Sequence, residues 1–426
     1  MLEVQTIRQE TDLIKQRLAK RHPDAYNMLI DKVLELDTLR RETQHNLDSL
    51  LAEGNQLAQE IGQLFKSGQA AAAEPLKARS AELKTQSQEL RERMQQTEAE
   101  LQDTLYQIPN APHASVPAGA SETDNEIVRT GGNTPALNQE ALPHWEVARK
   151  YGLIDFELGV KITGAGFPVY TGKGARLQRA MINFFLDEAA KAGYREVQPP
   201  LLVNEESGIG TGQLPDKEGQ MYHVGADDLY LIPTAEVPLT NMYRDVILKD
   251  SDFPVKICGY TPCFRREAGS YGKDVRGLNR LHQFDKVEIV QLAHPDESYR
   301  ILEEMVSHVE ALLKKLELPY RVLRLCGGDL GFASALTYDM EVYSAAQQRW
   351  LEVSSISNFE TFQSNRLKLR FKSGDQKKTT LAHTLNGSAL ALPRILAALL
   401  ENNQGTKGIR IPEVLVPYTQ FSIIEE

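Results

Sequence analysis

From Tyr26 to Gln107 the chain contains almost nothing that would stop a helix. Gly54 and Gly62 aside, its glycine and proline are confined to one interruption, "KSGQAAAAEP" at residues 66–75. A helix on each side of a turn is the simplest fold for such a stretch. Before the turn Leu50, Leu57 and Leu64 fall seven apart; after it Leu76, Leu83 and Leu90 do, as do Met94 and Leu101. This is a heptad seam, and the short connection forces the two helices antiparallel. The pattern therefore predicts a two-stranded helical hairpin of about 37 residues per leg, reaching roughly 55 Å. Its core is too thin for a globular domain, so it is expected to be an arm.

The remaining chain must supply the globular part. With 426 residues and 41% hydrophobic content there is enough to build one or two large cores. The net charge of −10 leaves any nucleic-acid contact to a local basic patch. Cys258, Cys263 and Cys326 are too few for a disulfide framework and lack zinc-ligand spacing, so they are expected as buried thiols in a reducing compartment. The opening "MLEVQTIRQETDLIKQRL" is charged and amphipathic, and no long apolar run follows. A cytoplasmic protein is expected.

Residues 1–108 are expected to form the arm-bearing domain, with the arm over about 28–107. Residues 109–140, rich in Pro, Gly, Ser and Asn, are expected as a linker, and 141–426 as a second domain. That domain shows a helical pattern at "GARLQRAMINFFLDEAAKAG", stopped by Gly193, and then many strand-like runs with helices only at intervals. This order argues for an α+β fold around an antiparallel sheet. No GxGxxG or GxxxxGK[ST] occurs, so neither a Rossmann nor a P-loop nucleotide site is supported.

Strand parity sorts the polar residues of this domain. In "QFDKVEIVQL" Val287 and Ile289 face one way, while Phe284, Lys286 and Glu288 face the other. Thr234 pairs with Glu236 in "LIPTAEV", Arg265 with Glu267 in "FRREAGS", and Glu352 with Ser354 in "LEVSSIS" by the same rule. Carboxylates, an arginine and an aromatic on one sheet face are costly to bury unless they meet a ligand or each other. Near the C-terminus "TLNGSALALPRILAALLENNQ" begins strand-like, with Asn386 and Ser388 two apart. It continues as a helix expected to be capped at Ser388 and carrying Arg394.

"GYREVQPPLL", with Pro199 and Pro200, "FRREAG" followed by "HQFDKVE", and "NGSALALPRILAALLEN" resemble motifs 1, 2 and 3 of class II aminoacyl-tRNA synthetases. With "TAE", "LEVSSISN", "TLNGS" and the N-terminal hairpin in this order, the whole chain resembles the bacterial-type seryl-tRNA synthetase family. The resemblance implies the class II antiparallel sheet flanked by helices, ATP and Mg²⁺ as cofactors, and a homodimer built around motif 1. It also implies activation of L-serine as seryl-adenylate and transfer to tRNA(Ser), and commonly tRNA(Sec). By resemblance Arg265 grips the α-phosphate, Glu267 receives the adenine amino group, and Phe284 stacks beneath the adenine. Arg394 covers it and reaches the γ-phosphate, Leu281 adds a backbone contact, and Arg266, Val353 and Ser354 complete the ATP site. Glu352 and Ser355 would hold Mg²⁺; parity favours Ser354 over Ser355 here, so the strand either bulges or ends at this pair. Catalysis would rest on Arg265, Arg394 and Glu352. Serine would be bound by Thr234, Ala235, Glu236, Arg265, Glu288, Asn386 and Ser388. On the arm, Arg40, Arg41, Lys66, Lys77, Arg79, Lys84, Arg91 and Arg93 would meet tRNA phosphates, interleaved with as many acids. One departure is Leu336, which stands before "TYD" where many relatives carry a basic residue.

Two other readings compete. A paralogue that loads a carrier protein would not need the arm, which this chain keeps. An inactive paralogue serving as an RNA-binding scaffold would be expected to lose Arg265, Glu352 or Arg394, and all three are present.

Overall fold

The structure, a computed structural model, describes residues 1–137, 141–216, 219–267, 276–374 and 378–425. These form two compact units, one of residues 2–19 and 23–109, the other of residues 1, 20–22 and 110–426.

In the smaller unit two short helices, α1 (Val4–Gln9) and α2 (Thr11–Ala19), precede the long helices α3 (Asn27–Lys66) and α4 (Glu74–Tyr106). The legs are 40 and 33 residues long, so α3 spans about 60 Å and α4 about 50 Å. Ion pairs Lys32–Glu100 (2.7 Å) and Arg79–Glu53 (2.9 Å) advance along one helix as they retreat along the other, which makes the hairpin antiparallel. The seam includes small polar residues as well as leucines. Thr97 and Thr104 are buried, and each hydroxyl donates to the carbonyl four residues back at 2.8 Å, so neither is left unpaired.

The larger unit is built on an eight-stranded sheet. Its strands in chain order are β1 (Glu126–Gly131), β2 (Arg195–Glu196), β3 (Val255–Phe264), β4 (Gln283–Ala293), β5 (Tyr320–Arg324), β6 (Leu336–Ser344), β7 (Arg349–Asn358) and β8 (His383–Ala391). Among the described residues their spatial order is β1-β5-β6-β7-β8-β4-β3-β2. All pairings are antiparallel except the edge pair β2–β3. The stretch expected as a linker thus supplies edge strand β1, and upstream of it the Asn110 and His113 amides bond to Phe332 and Ala335 carbonyls. Its polar, Pro-rich composition reflects an irregular path over the sheet edge, where each backbone group still needs a partner.

Three helices cover one sheet face: α6 (Gly172–Lys191), α8 (Ser298–Lys315) and α9 (Leu392–Asn402), while α5 (His144–Lys150) packs on α9. Leu177, Met181 and Phe185 of α6 and Ile395 and Leu399 of α9 share one core with Val287, Ile289, Met340 and Ile356 from the sheet. Leu336 belongs to this core and is 3% exposed, a place where a cation would be costly. The three cysteines are free and buried. No helix among the described residues is long and apolar enough to cross a membrane.

Candidate active site

The alternation read from β4 persists in space. Val287 and Ile289 enter the helix-covered core; Lys286 and Glu288 are buried on the opposite face. There Glu288 is 0% exposed, and a bare carboxylate would be very costly. Three donors satisfy it. Lys286 Nζ lies 2.6 Å from Oε2, Thr234 Oγ1 donates to the same oxygen at 3.3 Å, and Asn386 Nδ2 donates to Oε1 at 3.0 Å. Lys286 also donates to Thr234 Oγ1 at 2.9 Å. Ser388 lies directly across the strand pair from Glu288. It is a β8 residue and not the expected helix cap, since α9 begins at Leu392 after Ala391.

Thr234 and Glu236 reach this pocket by a different route from the one parity suggested. The strand ends at Leu231, and Glu236 opens a short helix, Glu236–Asn241 (α7), with Ala235 fully buried before it. The Glu236 amide donates to Thr234 Oγ1 at 3.2 Å, and Gln363 Nε2 donates to Glu236 Oε1 at 2.6 Å. Burial, and then the charge of Glu288, push the Glu236 carboxyl up to about 7; the Gln363 bond, Lys286 and Arg265 pull the other way.

Arg265 adjoins the pocket, with its Nε donating to the Pro233 carbonyl at 3.4 Å and its guanidinium 5.2 Å from the centre of the Phe284 ring. Strand β3 ends at Phe264, and Glu267 has φ +49°, so strand alternation does not carry through to Glu267. Glu267 instead pairs with Arg280. The Arg266 side chain is exposed, and its amide bonds to the Gln220 carbonyl. Leu281 is buried, next to the strand bearing Phe284.

The Ser354–Ser355 question has a local answer. The β6–β7 register runs Asp339↔Ser355, Met340↔Ser354 and Glu341↔Glu352, leaving Val353 as the extra residue of a bulge. Val353 enters the core, and Glu352 and Ser355, three apart, lie opposite Glu341 and Asp339 on the other face. Ser354 is buried and donates to the Ser388 carbonyl at 2.6 Å. Asp339 Oδ1 is buried without a hydrogen-bond partner among the described residues, and the Asp339 carboxyl is pushed up by burial and by neighbouring Glu352, with Ser355 pulling the other way. Arg394 Nη1 donates to the Glu352 carbonyl at 2.8 Å, and its Nε to the Asn279 carbonyl at 3.0 Å.

Most of the anticipated catalytic residues thus fall into two groups: a buried, acid-rich pocket (Thr234, Glu236, Glu288, Asn386, Ser388, beside Arg265 and Phe284) and an oxygen-lined edge (Glu352, Ser355, Arg394). Known protein families share this architecture. Residues 1–112 match the seryl-tRNA synthetase N-terminal domain, and residues 222–403 the class II core domain of the G, H, P, S and T synthetases. A serine–tRNA ligase of Salinibacter ruber is 51% identical, covering 100% of this chain and 99% of its own. The chain belongs to the seryl-tRNA synthetase family. Within that family it superposes on the Pyrococcus horikoshii enzyme complexed with ATP, with TM-score 0.94, 35% identity and coverage of 100% and 99%. The Naegleria fowleri cytoplasmic enzyme in complex with AMP gives 0.89, 28%, 100% and 99%.

Sequence reading singled out neither Gln363, Asp339 nor Lys286 as a site residue of this synthetase. Lys286 had a signal, because it alternates with Phe284 and Glu288. Asp339 and Gln363 had none, since one needs the β6–β7 register and the other a helix packed beneath the pocket.

On the arm, the cations divide. Arg8, Arg40 and Arg41 converge on Asp37, at 2.6, 2.9 and 3.1 Å. Arg79 is held by Glu53 and Glu82, and Lys77 by Glu74 and the face of Phe65. Lys66, Lys84, Arg91 and Arg93 are exposed, with no ion pair among the described residues. Lys77, Lys84 and Arg91 are seven apart and share one face of α4.

Proposed function

We propose that the chain activates L-serine with ATP and transfers the seryl group to tRNA(Ser), and to tRNA(Sec) where that tRNA is present. The observation that carries the reading is the pinned Glu288, with three donors on about four lone-pair sites. Its oxygens are fixed by Lys286, Thr234 and Asn386, which leaves an acceptor rigidly aimed across from Ser388. A serine hydroxyl donates to such a group, whereas an alanine-sized ligand leaves it without that bond. Sites of this kind discriminate by about 10⁴ to 10⁵. Glu236, its carboxyl raised by burial and by Glu288, suits the substrate ammonium, which would bring a cation to the carboxylate that Lys286 does not pair with.

In the first step the serine carboxylate oxygen attacks the α-phosphorus of ATP. The new O–P bond forms as the bond to pyrophosphate breaks, in line. Arg265 offers a permanently charged, bidentate fork to the α-phosphate, with Phe284 under the adenine and Glu267 at its amino group. Arg394, tethered at two carbonyls, presents its remaining N–H donors to the outgoing phosphates. In the second step the terminal ribose hydroxyl of tRNA attacks the acyl carbon, and AMP leaves. No side chain forms a covalent bond; positioning and charge neutralisation do the work. Glu352 and Ser355, with an Asp339 oxygen that has no hydrogen-bond partner among the described residues, form a hard-oxygen set that fits Mg²⁺. The ion would neutralise phosphate charge there when bound.

Lys84, Arg91, Arg93 and Lys66 are the arm cations free to meet tRNA phosphates; Arg40, Arg41, Lys77 and Arg79 would first have to leave carboxylates. A homodimer built around the motif 1 segment, residues 193–202 with Pro199 and Pro200, and a cytoplasmic location complete the proposal. Amino-acid-dependent ATP–pyrophosphate exchange across a panel tests it: serine is expected to dominate, and Arg265→Ala to abolish exchange. A folded Arg265→Ala protein with unchanged exchange would overturn the nucleotide assignment.

A further inference from the structure

Behind Arg394 lies a buried polar cluster that the reaction above does not use. His144, the first residue of α5, and Glu401, near the end of α9, both have side chains 0% exposed. Glu401 Oε1 accepts from the His144 amide at 2.9 Å, from His144 Nδ1 at 2.7 Å and from Gln347 Nε2 at 2.8 Å; Oε2 accepts from Ser344 Oγ. The opposite ring nitrogen, His144 Nε2, meets the backbone amide of Leu278 at 2.8 Å. A backbone N–H can only donate and an ionised carboxylate can only accept. These partners therefore assign a neutral imidazole, with its proton on Nδ1 and its lone pair toward Leu278. Burial pushes the Glu401 carboxyl up, but the bonds from His144 and Ser344 outweigh it and hold Glu401 below the ordinary range.

The next residue is gripped as well. Asn279 Nδ2 donates to Gln347 Oε1 at 3.0 Å, so adjacent residues are held by two prongs rooted in one carboxylate. Asn279 in turn offers its carbonyl to Arg394 Nε at 3.0 Å. Just upstream, Gly277 has φ +68°, and a Cβ there would lie 2.3 Å from His144 Nε2. The backbone passes the imidazole at a distance that only glycine allows.

We propose that His144, Gln347 and Glu401 are positioning residues for the ATP-dependent step: they set the Asn279 carbonyl and, through it, the guanidinium of Arg394. His144 acts here as a fixed hydrogen-bond acceptor. The inference rests on Arg394 being a nucleotide ligand. It differs from a packing role because its effect falls on one substrate; the serine pocket at Glu236 and Glu288 shares none of these bonds.

The test measures KM for ATP and for serine in pyrophosphate exchange, with melting temperature alongside, for His144→Asn, His144→Gln and Gln347→Ala. Asn can still donate to Glu401 but cannot reach Leu278; the Gln oxygen extends to where Nε2 lies. His144→Asn and Gln347→Ala are expected to raise KM for ATP on the order of tenfold with KM for serine within about twofold, and His144→Gln to recover most of the loss. Equal changes in both KM values, no change in either, or Asn matching Gln would overturn the inference. Gln347 is only half-buried, so its variant decides the matter if the His144 variants do not fold. Arg394→Ala separates the two layers. If it raises KM for ATP while the others do not, this inference alone fails; if it too leaves KM for ATP unchanged, the nucleotide reading of Arg394 fails first.

Discussion

Asp37 on the arm and Glu288 in the sheet are both buried carboxylates gripped by cations, yet their surroundings are opposite. Asp37 faces three arginines, so its carboxyl is held below the ordinary range: burial raises it, but the Arg40 and Arg8 bonds win. Glu288 shares its pocket with Glu236, and Lys286 is the cation in direct contact. The arm cluster carries surplus positive charge and needs nothing more, which suits a structural knot. The pocket carries a carboxylate too many, which suits a site that waits for a ligand cation.

The largest expected effect separates the two regions outright. Replacing residues 42–90, the distal hairpin, with a short Gly/Ser turn cuts both legs near one level, because they run antiparallel. Serine-dependent exchange should survive in the shortened protein, and charging of serine tRNA should fall by at least about a hundredfold, the range expected for losing several phosphate contacts. Charging as good as that of the intact chain would make the hairpin a strut.

At single-residue scale the contrast is sharpened by paired substitutions. Glu288→Gln should lower kcat/KM for serine on the order of a hundredfold, with KM for ATP nearly unchanged, since a charged acceptor is lost and Lys286 is left buried without its partner. Asp37→Asn should leave exchange intact and cost the arm about 1–3 kcal/mol of stability in a melting experiment. If Asp37→Asn impaired exchange, the division between structural and ligand-seeking carboxylates would not hold.

The two regions also differed in how much their sequences disclosed. The arm was legible because heptad spacing is a local property: the legs, the turn and the seam leucines all followed from it. Thr97 and Thr104 continue the seven-residue spacing of Leu76, Leu83 and Leu90, but their polar side chains hid them from a search for apolar residues. The sheet was legible where alternation ran unbroken, as from Phe284 to Glu288. It failed at three interruptions that alternation cannot foresee. These are the helix that begins at Glu236, the left-handed backbone at Glu267 and the bulge at Val353. Residues supplied by distant elements, His144 and Gln363 among them, were invisible, since nothing local marks a side chain whose partner lies more than a hundred positions away.

Acid–base behaviour should divide along the same line. Below about pH 7 the empty pocket holds Glu236 protonated, and a neutral carboxyl cannot pair with the substrate ammonium. The serine kcat/KM should therefore climb about tenfold per unit as pH rises toward 7 and level off above it, with the ATP value flatter. The Asp37 carboxyl is shifted the opposite way, so its effect appears at lower pH. Its lowered carboxyl contributes arm stability that is present above the ordinary Asp value and lost as pH falls through the lowered one. A serine profile flat from pH 5.5 to 8 would remove Glu236 from substrate binding.

Smaller effects are expected from the exposed arm cations. Lys84→Glu or Arg91→Glu should weaken tRNA binding several-fold and lower the salt dependence of log K by about 1 for each lost phosphate contact. Arg41→Glu should act first on the Asp37 cluster, visible as a lower melting temperature of the arm. Equal binding losses at Arg41 and Arg91, without any change in melting, would mean that the arginines around Asp37 leave it for tRNA.

The smallest effect tests whether the arm is tuned for rigidity at all. Gly54 and Gly62 interrupt α3 at helix-interior positions, where glycine costs about 1 kcal/mol relative to alanine. Nothing lies within 4 Å of a Cβ built at either one, and neither has the positive φ that would require glycine. Alanine therefore fits both sites without strain and restricts the unfolded chain, so Gly54→Ala with Gly62→Ala should stabilise the hairpin by about 1–2 kcal/mol. Exchange should not change, because the serine and nucleotide residues all lie in the other unit. The informative quantity is tRNA charging. If the stiffened arm charges tRNA as fast as the original, the glycines are incidental. If charging slows while the arm melts higher, α3 bends at Gly54 and Gly62 when it takes up tRNA, and the arm too would hold residues kept for a ligand at the expense of stability.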